Sequence, residues 1–207
     1  MAFGFRLVCF VLYTGFVASL YAGEYNPDKN IGDDAPAWKD LPGVDGKLHS
    51  LDSLTDRKAI VVAFTCNSCP YAIDAENRLI ALDKFCKDRD VALVAINVNK
   101  VAGDLLPAMK DRAKEKKFTF PYLFDESQQI AKQYGARYTP EFFVLDAKRK
   151  IAYMGSLDDS PDGKAVKVKH VESAIESALA GKPTAVAETV SIGCRIRFDR
   201  VRRTRKK

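Results

Sequence analysis

Histidine is nearly absent: His49 and His170 are the only two in 207 residues. No His-x-x-x-His spacing occurs, and no second C-x-x-C joins the one at Cys66 and Cys69. A zinc centre therefore lacks its usual ligand set. Past residue 22 no run is long and apolar enough to cross a bilayer, which excludes a chain with many spans. There is no internal repeat and no low-complexity block, so a solenoid or a simple linker is also excluded. A general basic surface is missing too. The net charge is +6, but Arg195 to Lys207 holds eight Arg or Lys against Asp199 alone, +7 in all. About −1 is left for everything before it. The body is near neutral and the basicity belongs to a tail without aromatics after Phe198. Nucleic-acid binding has no support in that pattern, and a solvated, disordered tail is expected.

What is present fits one globular domain with short tails: 47% of residues are hydrophobic and 29% charged. The N-terminus carries Arg6, an apolar run from Leu7 to Leu20, and small residues around Ala22. This is the layout of a secretory signal, residues 1–22, cut after Ala22. The expected location is periplasmic or extracellular, with membrane contact only if the signal segment stays uncleaved. Cleavage removes Cys9 and leaves Cys66, Cys69, Cys86 and Cys194. Outside the cytosol such thiols pair or are kept reduced for a purpose.

The stretch from Ile31 to Leu54 is rich in Gly, Pro and Asp and reads as a loop and short hairpin turning at Asp45-Gly46. "AIVVAF" (Ala59 to Phe64) and "VALVAINV" (Val91 to Val98) read as strands buried on both faces. Between them, Ala75, Leu79, Leu82 and Cys86 recur at helical spacing. "LLPAMKDRAKEKK" reads as a helix, "FPYLFD" as a short strand, and "SQQIAKQYG" as a helix closed by Gly135. "EFFVLD" and "KIAYMGS" form a hairpin, and Val168 to Gly181 a last amphipathic helix. Early βαβ units followed by a hairpin imply an α/β fold: one mixed central sheet with helices on both faces. The domain is expected over 23–181, with 182–207 a C-terminal segment ending in the basic tail.

"FTCNSCPY" places C-x-x-C where a buried strand meets a helix. Cys66 is expected at the helix start, exposed, its thiolate favoured by unpaired N–H groups and the dipole. Cys69, one turn on, would resolve a mixed disulfide formed at Cys66. Pro70 suits an early helical position. A copper carrier using two thiolates and a histidine, and a pair of merely structural thiols, both stay open, although no histidine lies near in sequence. Thr139-Pro140 precedes a buried strand, where the proline is a candidate cis peptide that would present Thr139 to an extended substrate.

Taken together, "IGDDAPAW", "FTCNSCPYA", "ALVAINVN", "FPYLFDESQQIAKQYGARYTPEFFVLD", "GSLDDS" and "IGCRIRF" resemble the thioredoxin superfamily, in its peroxiredoxin-like branch carrying C-x-x-C. The resemblance runs from about Ile31 to Phe198. It implies a thioredoxin fold with an N-terminal hairpin extension, a Cys66–Cys69 redox pair and a cis-proline at Pro140. A thiol peroxidase using Cys69 is the alternative. The peroxiredoxin pattern P-x-x-x-T-x-x-C here has Val62 at its Pro position and Cys66 at its Thr position. The peroxide-polarising Arg of that family falls at Thr139. Those departures remove electrostatic support for peroxide chemistry.

The reading is thus an exported thiol–disulfide oxidoreductase without a metal or cofactor. Its catalytic residues are Cys66, Cys69, Thr139 and Pro140, and its substrates are protein or small-molecule disulfides and thiols. A separate redox partner is implied, and a non-catalytic interaction module is the remaining class. Thioredoxin's buried acid has no counterpart in Ala59 to Phe64. Glu141 is expected as an exposed residue at a strand start rather than as its substitute. Cys86 lies on the apolar stripe, too far along one helix to pair with Cys69, and is expected as a buried core thiol. Cys194 either relays electrons or packs the tail, with packing favoured. Both histidines are expected at the surface.

Overall fold

The computed structural model describes residues 23–199. A small hairpin comes first, β1 (Leu41–Pro42) and β2 (Leu48–His49), antiparallel, with Gly46 at φ 78° in its turn. The main sheet holds β3 (Ala59–Phe64), β4 (Val91–Asn97), β5 (Tyr122–Phe124), β7 (Glu141–Leu145) and β8 (Ile151–Gly155), in the spatial order β5-β4-β3-β7-β8. β3 runs parallel to β4, and β4 to β5, whereas β7 is antiparallel to both β3 and β8. The sheet is therefore mixed, as the order of the elements requires.

β3 is central, and all six of its residues are buried. That explains its unbroken apolar sequence: side chains point alternately into two separate cores. On one face Val61 and Ala63 meet Leu79, Leu82 and Cys86 of α1 (Pro70–Lys87), Met109 of α2 (Leu106–Lys116), and Val171, Ala174 and Ile175 of α4 (His170–Leu179). On the other, Ile60, Val62 and Phe64 meet Ile130, Ala131 and Tyr134 of α3 (Gln129–Tyr134), with Trp38, Leu51 and Ile196. Each fully buried Val, Leu, Ile, Phe or Met side chain among them contributes about 1.5–3 kcal/mol. α3 stops at Gly135, φ 68°, where a Cβ would also run into Asn26.

The segment beyond Gly181 folds back on the domain. Thr189 N–H donates to the Met154 carbonyl at 3.1 Å, and Met154 N–H to the Ala187 carbonyl at 3.1 Å. The Glu188 carboxylate accepts the backbone N–H groups of Glu24, Tyr25 and Asn26, each at 2.7 Å, so it ties the two ends of the described chain together. Last comes β9 (Cys194–Arg195), antiparallel to the two-residue β6 (Tyr138–Thr139). This pairing has no counterpart in the hydrophobic pattern, because both strands are two residues long. The expected signal segment, with Cys9, and the tail beyond Asp199 lie outside the described residues. Among the described residues no helix is long and apolar enough to cross a membrane.

Candidate active site

The site forms where β3 ends and α1 begins. Pro70 is the first helical residue and Cys69 the N-cap, with extended backbone at φ −92° and ψ 122°. Cys69 therefore holds the position expected for Cys66, which lies three residues farther out. Nor is Cys66 exposed: its accessibility is 3%, against 2% for Cys69. The helix start is shifted because proline, lacking an N–H, serves best as the opening residue of the helix.

Thr139 joins the two thiols. Its hydroxyl is 3.4 Å from Cys66 Sγ, and its carbonyl accepts from Cys69 Sγ at 3.0 Å. The peptide between Thr139 and Pro140 is cis. The four residues singled out from the sequence thus meet in one place. A fifth comes with them: Cys194 N–H donates to Cys69 Sγ at 3.4 Å, and Cys194 packs on the cluster of Cys66, Cys69 and Ala72.

The Asn67-Ser68 dipeptide is held from below by Asp104, which is fully buried. One carboxylate oxygen accepts the N–H groups of Asn67 at 2.8 Å and Ser68 at 2.9 Å, and the other accepts the Ser68 hydroxyl at 2.6 Å. Asn67 is fixed further by the Gly103 carbonyl at 2.9 Å and the Tyr122 hydroxyl at 3.0 Å. The Asp104 carbonyl in turn accepts from Asn97 at 2.6 Å. Charge-assisted bonds of this kind hold a loop in a single conformation. Sequence reasoning missed Asp104. It stands just ahead of α2, where an acidic residue reads as a local helix cap.

These surroundings divide the two thiols. The hydrogen bond from Cys66 favours the Cys69 thiolate most, followed by the Cys194 side chain and the N–H groups of Ala72 and Cys194, so its pKa falls despite burial. The Ala72 N–H faces the sulfur without closing a cap hydrogen bond. Against this stand burial and the Thr139 carbonyl, an acceptor that suits the protonated thiol. Cys66 moves the other way. Its bond to Cys69, then burial, and then the Asp104 carboxylate push it up, against the Thr139 hydroxyl and the Ser68 N–H. Of the two sulfurs, Cys69 is drawn toward the thiolate and Cys66 away from it.

Other expectations divide the same way. Cys86 is fully buried among Leu79 and Leu82, as expected, and burial pushes its pKa up to about 12. Glu141 is not exposed: it is 6% accessible, and its carboxylate accepts the N–H groups of Arg137 at 2.8 Å and Tyr138 at 2.9 Å. Burial pushes its pKa up to about 7. Its bonds fasten the turn that leads into β6 rather than serving Cys69. His49 pairs with Asp45 at 3.0 Å, while His170 opens α4 and stacks on Tyr153.

No curated protein matches the chain. Among solved structures, an uncharacterized conserved protein from Geobacillus kaustophilus is similar, with 34% identity and a TM-score of 0.77 over 82% of this chain and 93% of that one. A hypothetical protein from Sinorhizobium meliloti 1021 is similar at 34% and 0.77, over 83% and 96%. A thiol:disulfide interchange protein of the thioredoxin family from Chlorobium tepidum TLS shares the fold at 22% and 0.56, over 73% and 99%. Residues 30–175 match the redoxin family. That span takes in β3, the C-x-x-C turn, Asp104 and the Thr139-Pro140 junction, and the chain is a member of the redoxin family with a thioredoxin fold.

Proposed function

We propose that the protein is a thiol–disulfide oxidoreductase working through a Cys66–Cys69 redox pair, exported by its N-terminal segment. The observation that carries this reading is the shared hold of Thr139 on both thiols, hydroxyl to Cys66 and carbonyl to Cys69. One residue hydrogen-bonded to both sulfurs supports a disulfide between them. The buried Asp104 keeps the intervening turn from opening, so oxidation needs little rearrangement. Cys69 carries the thiolate and is the better nucleophile, and Cys66 is the thiol that closes the disulfide or leaves from it. This reverses the roles expected from the sequence, because the N-cap is Cys69.

The peroxidase reading is weaker. A peroxide oxygen beside Cys69 would meet the Thr139 carbonyl, an acceptor, where its transition state needs donors. The copper reading lacks its histidine, since His49 pairs with Asp45 and His170 stacks on Tyr153.

Stopped-flow oxidation of the reduced protein, by a protein disulfide and by hydrogen peroxide in parallel, tests the proposal. The disulfide is expected to yield a Cys66–Cys69 bond, mapped by mass spectrometry, and peroxide to react no faster than with an ordinary low-pKa thiol. Peroxide rates several orders above free cysteine, or an oxidised protein without that bond, overturn it. Export is checked by sequencing the N-terminus of the mature chain, which should begin at Gly23.

A further inference from the structure

Cys66 and Cys69 are 3% and 2% accessible, and Cys194 of the chain's own β9 packs on their cluster. β9 pairs with β6 so that Cys194 stands directly opposite Thr139, the residue holding both other thiols. The approach is close: a Cβ at Gly193 would run into the Thr139 carbonyl. The strand is fastened on its far side. Ile196 N–H donates to the Arg137 carbonyl at 2.9 Å and Arg197 N–H to Asn99 at 3.0 Å, and Ile196 is buried in the second core. On its near side Val190 and Ile192 are about half exposed, at 54% and 47%. Cys194 is half-buried, which makes it the most accessible of the three clustered thiols. Its backbone N–H donates to Cys69 Sγ at 3.4 Å.

We infer that Cys194 is a third redox thiol, which takes the disulfide from the buried pair and presents it to an external dithiol. The inference rests on the Cys66–Cys69 reading above. In the first step the Cys194 thiolate attacks Cys69 Sγ of the Cys66–Cys69 disulfide. The bond to Cys66 breaks, a Cys69–Cys194 disulfide forms, and the proton lost by Cys194 ends on Cys66. No electrons enter or leave. A dithiol reductant then attacks Cys194 Sγ and displaces Cys69 as thiolate. The reductant's second thiol closes its own disulfide and frees Cys194. The reductant has lost two electrons and the protein ends with three thiols.

Electrostatics fit this order. Burial, the hydrogen bond to Cys69 and the charge of Cys69 together push Cys194 up to about 11 in the reduced state, with Arg197 opposing. When Cys69 is oxidised its charge is gone, and Cys194 becomes easier to ionise at the moment it must attack. The central position of Cys69, between two thiols, explains why a covering strand carries a cysteine at this register.

Two variants test the relay, with circular dichroism showing that each is folded. Cys66→Ser leaves Cys69 and Cys194. Treated with oxidised dithiothreitol, it is expected to form an intramolecular Cys69–Cys194 disulfide, identified by peptide mapping. Cys194→Ser keeps the buried pair and is still expected to form Cys66–Cys69. Its reduction by a protein dithiol such as thioredoxin should slow at least tenfold relative to the unsubstituted protein. Two free thiols in oxidised Cys66→Ser, or an unchanged reduction rate in Cys194→Ser, overturns the relay. In either case a Cys66–Cys69 disulfide in the unsubstituted protein leaves the underlying reading standing. Its absence overturns both.

Discussion

Asp104→Asn isolates what the buried carboxylate does for the active-site turn. The side chain keeps its shape but loses its charge, so packing is nearly conserved. In the native protein the carboxylate accepts three hydrogen bonds from Asn67 and Ser68, at 2.8, 2.9 and 2.6 Å. A hydrogen bond to a charged group is worth about 1.5–3 kcal/mol, against about 1 kcal/mol for a neutral one. Asn retains one acceptor oxygen for the two N–H groups and turns an amide toward the Ser68 hydroxyl. Ser68 is exposed, so water recovers part of the loss. A net cost of about 2–3 kcal/mol in urea unfolding follows. The second effect is electrostatic and has the opposite benefit. The carboxylate disfavours a thiolate at Cys66. The upper titration step of the dithiol should therefore fall. Alkylation at each cysteine, followed by mass spectrometry as a function of pH, measures that step. A variant that is less stable but keeps the Cys66 step where it was, or moves it up, refutes the electrostatic argument. A variant of unchanged stability refutes the structural one.

Glu141 gives the pH dependence. Its folded pKa, about 7, lies above the ordinary 4.5, so its stabilising protonated form is fully present below about pH 4.5 and lost as pH rises through 7. Glu141→Gln should flatten the fall in stability between pH 5 and 7 by up to about 2 kcal/mol, and urea midpoints at the two pH values check it. Cys86 should resist alkylation at pH 8 until the protein unfolds, because its thiol is pushed up to about 12. Rapid labelling in the folded state would contradict its burial. Cys86→Ser should cost about 1–3 kcal/mol through an unpaired hydroxyl while leaving Cys66–Cys69 oxidation unaltered. Phe143→Ala, which empties a fully buried site against Phe64 and Tyr134, should cost about 3–5 kcal/mol in the same denaturation assay.

Local patterns made most of the framework legible. Ala59 to Phe64 reads as a doubly buried strand, since six apolar residues, three of them β-branched, suit a position with a helix layer on each side. The stripe of Ala75, Leu79, Leu82 and Cys86 matches the buried face of α1 because helical periodicity is set by the backbone alone. Gly135 marked the end of α3 for a similarly local reason, its left-handed backbone. The Cys66, Cys69, Thr139 and Pro140 constellation was readable because its motifs stand at the strand ends that a thioredoxin fold brings together.

The tertiary structure alone decided how those residues are used. Asp104 reaches Asn67 and Ser68 across some three dozen residues, and no sequence spacing reports a contact that depends on how α2 meets the end of β3. Glu141 reads as a polar residue at a strand start, yet burial beside the Arg137 and Tyr138 N–H groups gives it a structural task. Cys66 loses its expected exposure because the fold buries it beside Cys69 and Thr139, with Cys194 packed on the cluster. Two-residue strands have no periodicity to betray them. Their pairing is set by chain return and main-chain hydrogen bonds, which every residue except proline can make, so the cysteine that completes the cluster was visible in the sequence while its place was not.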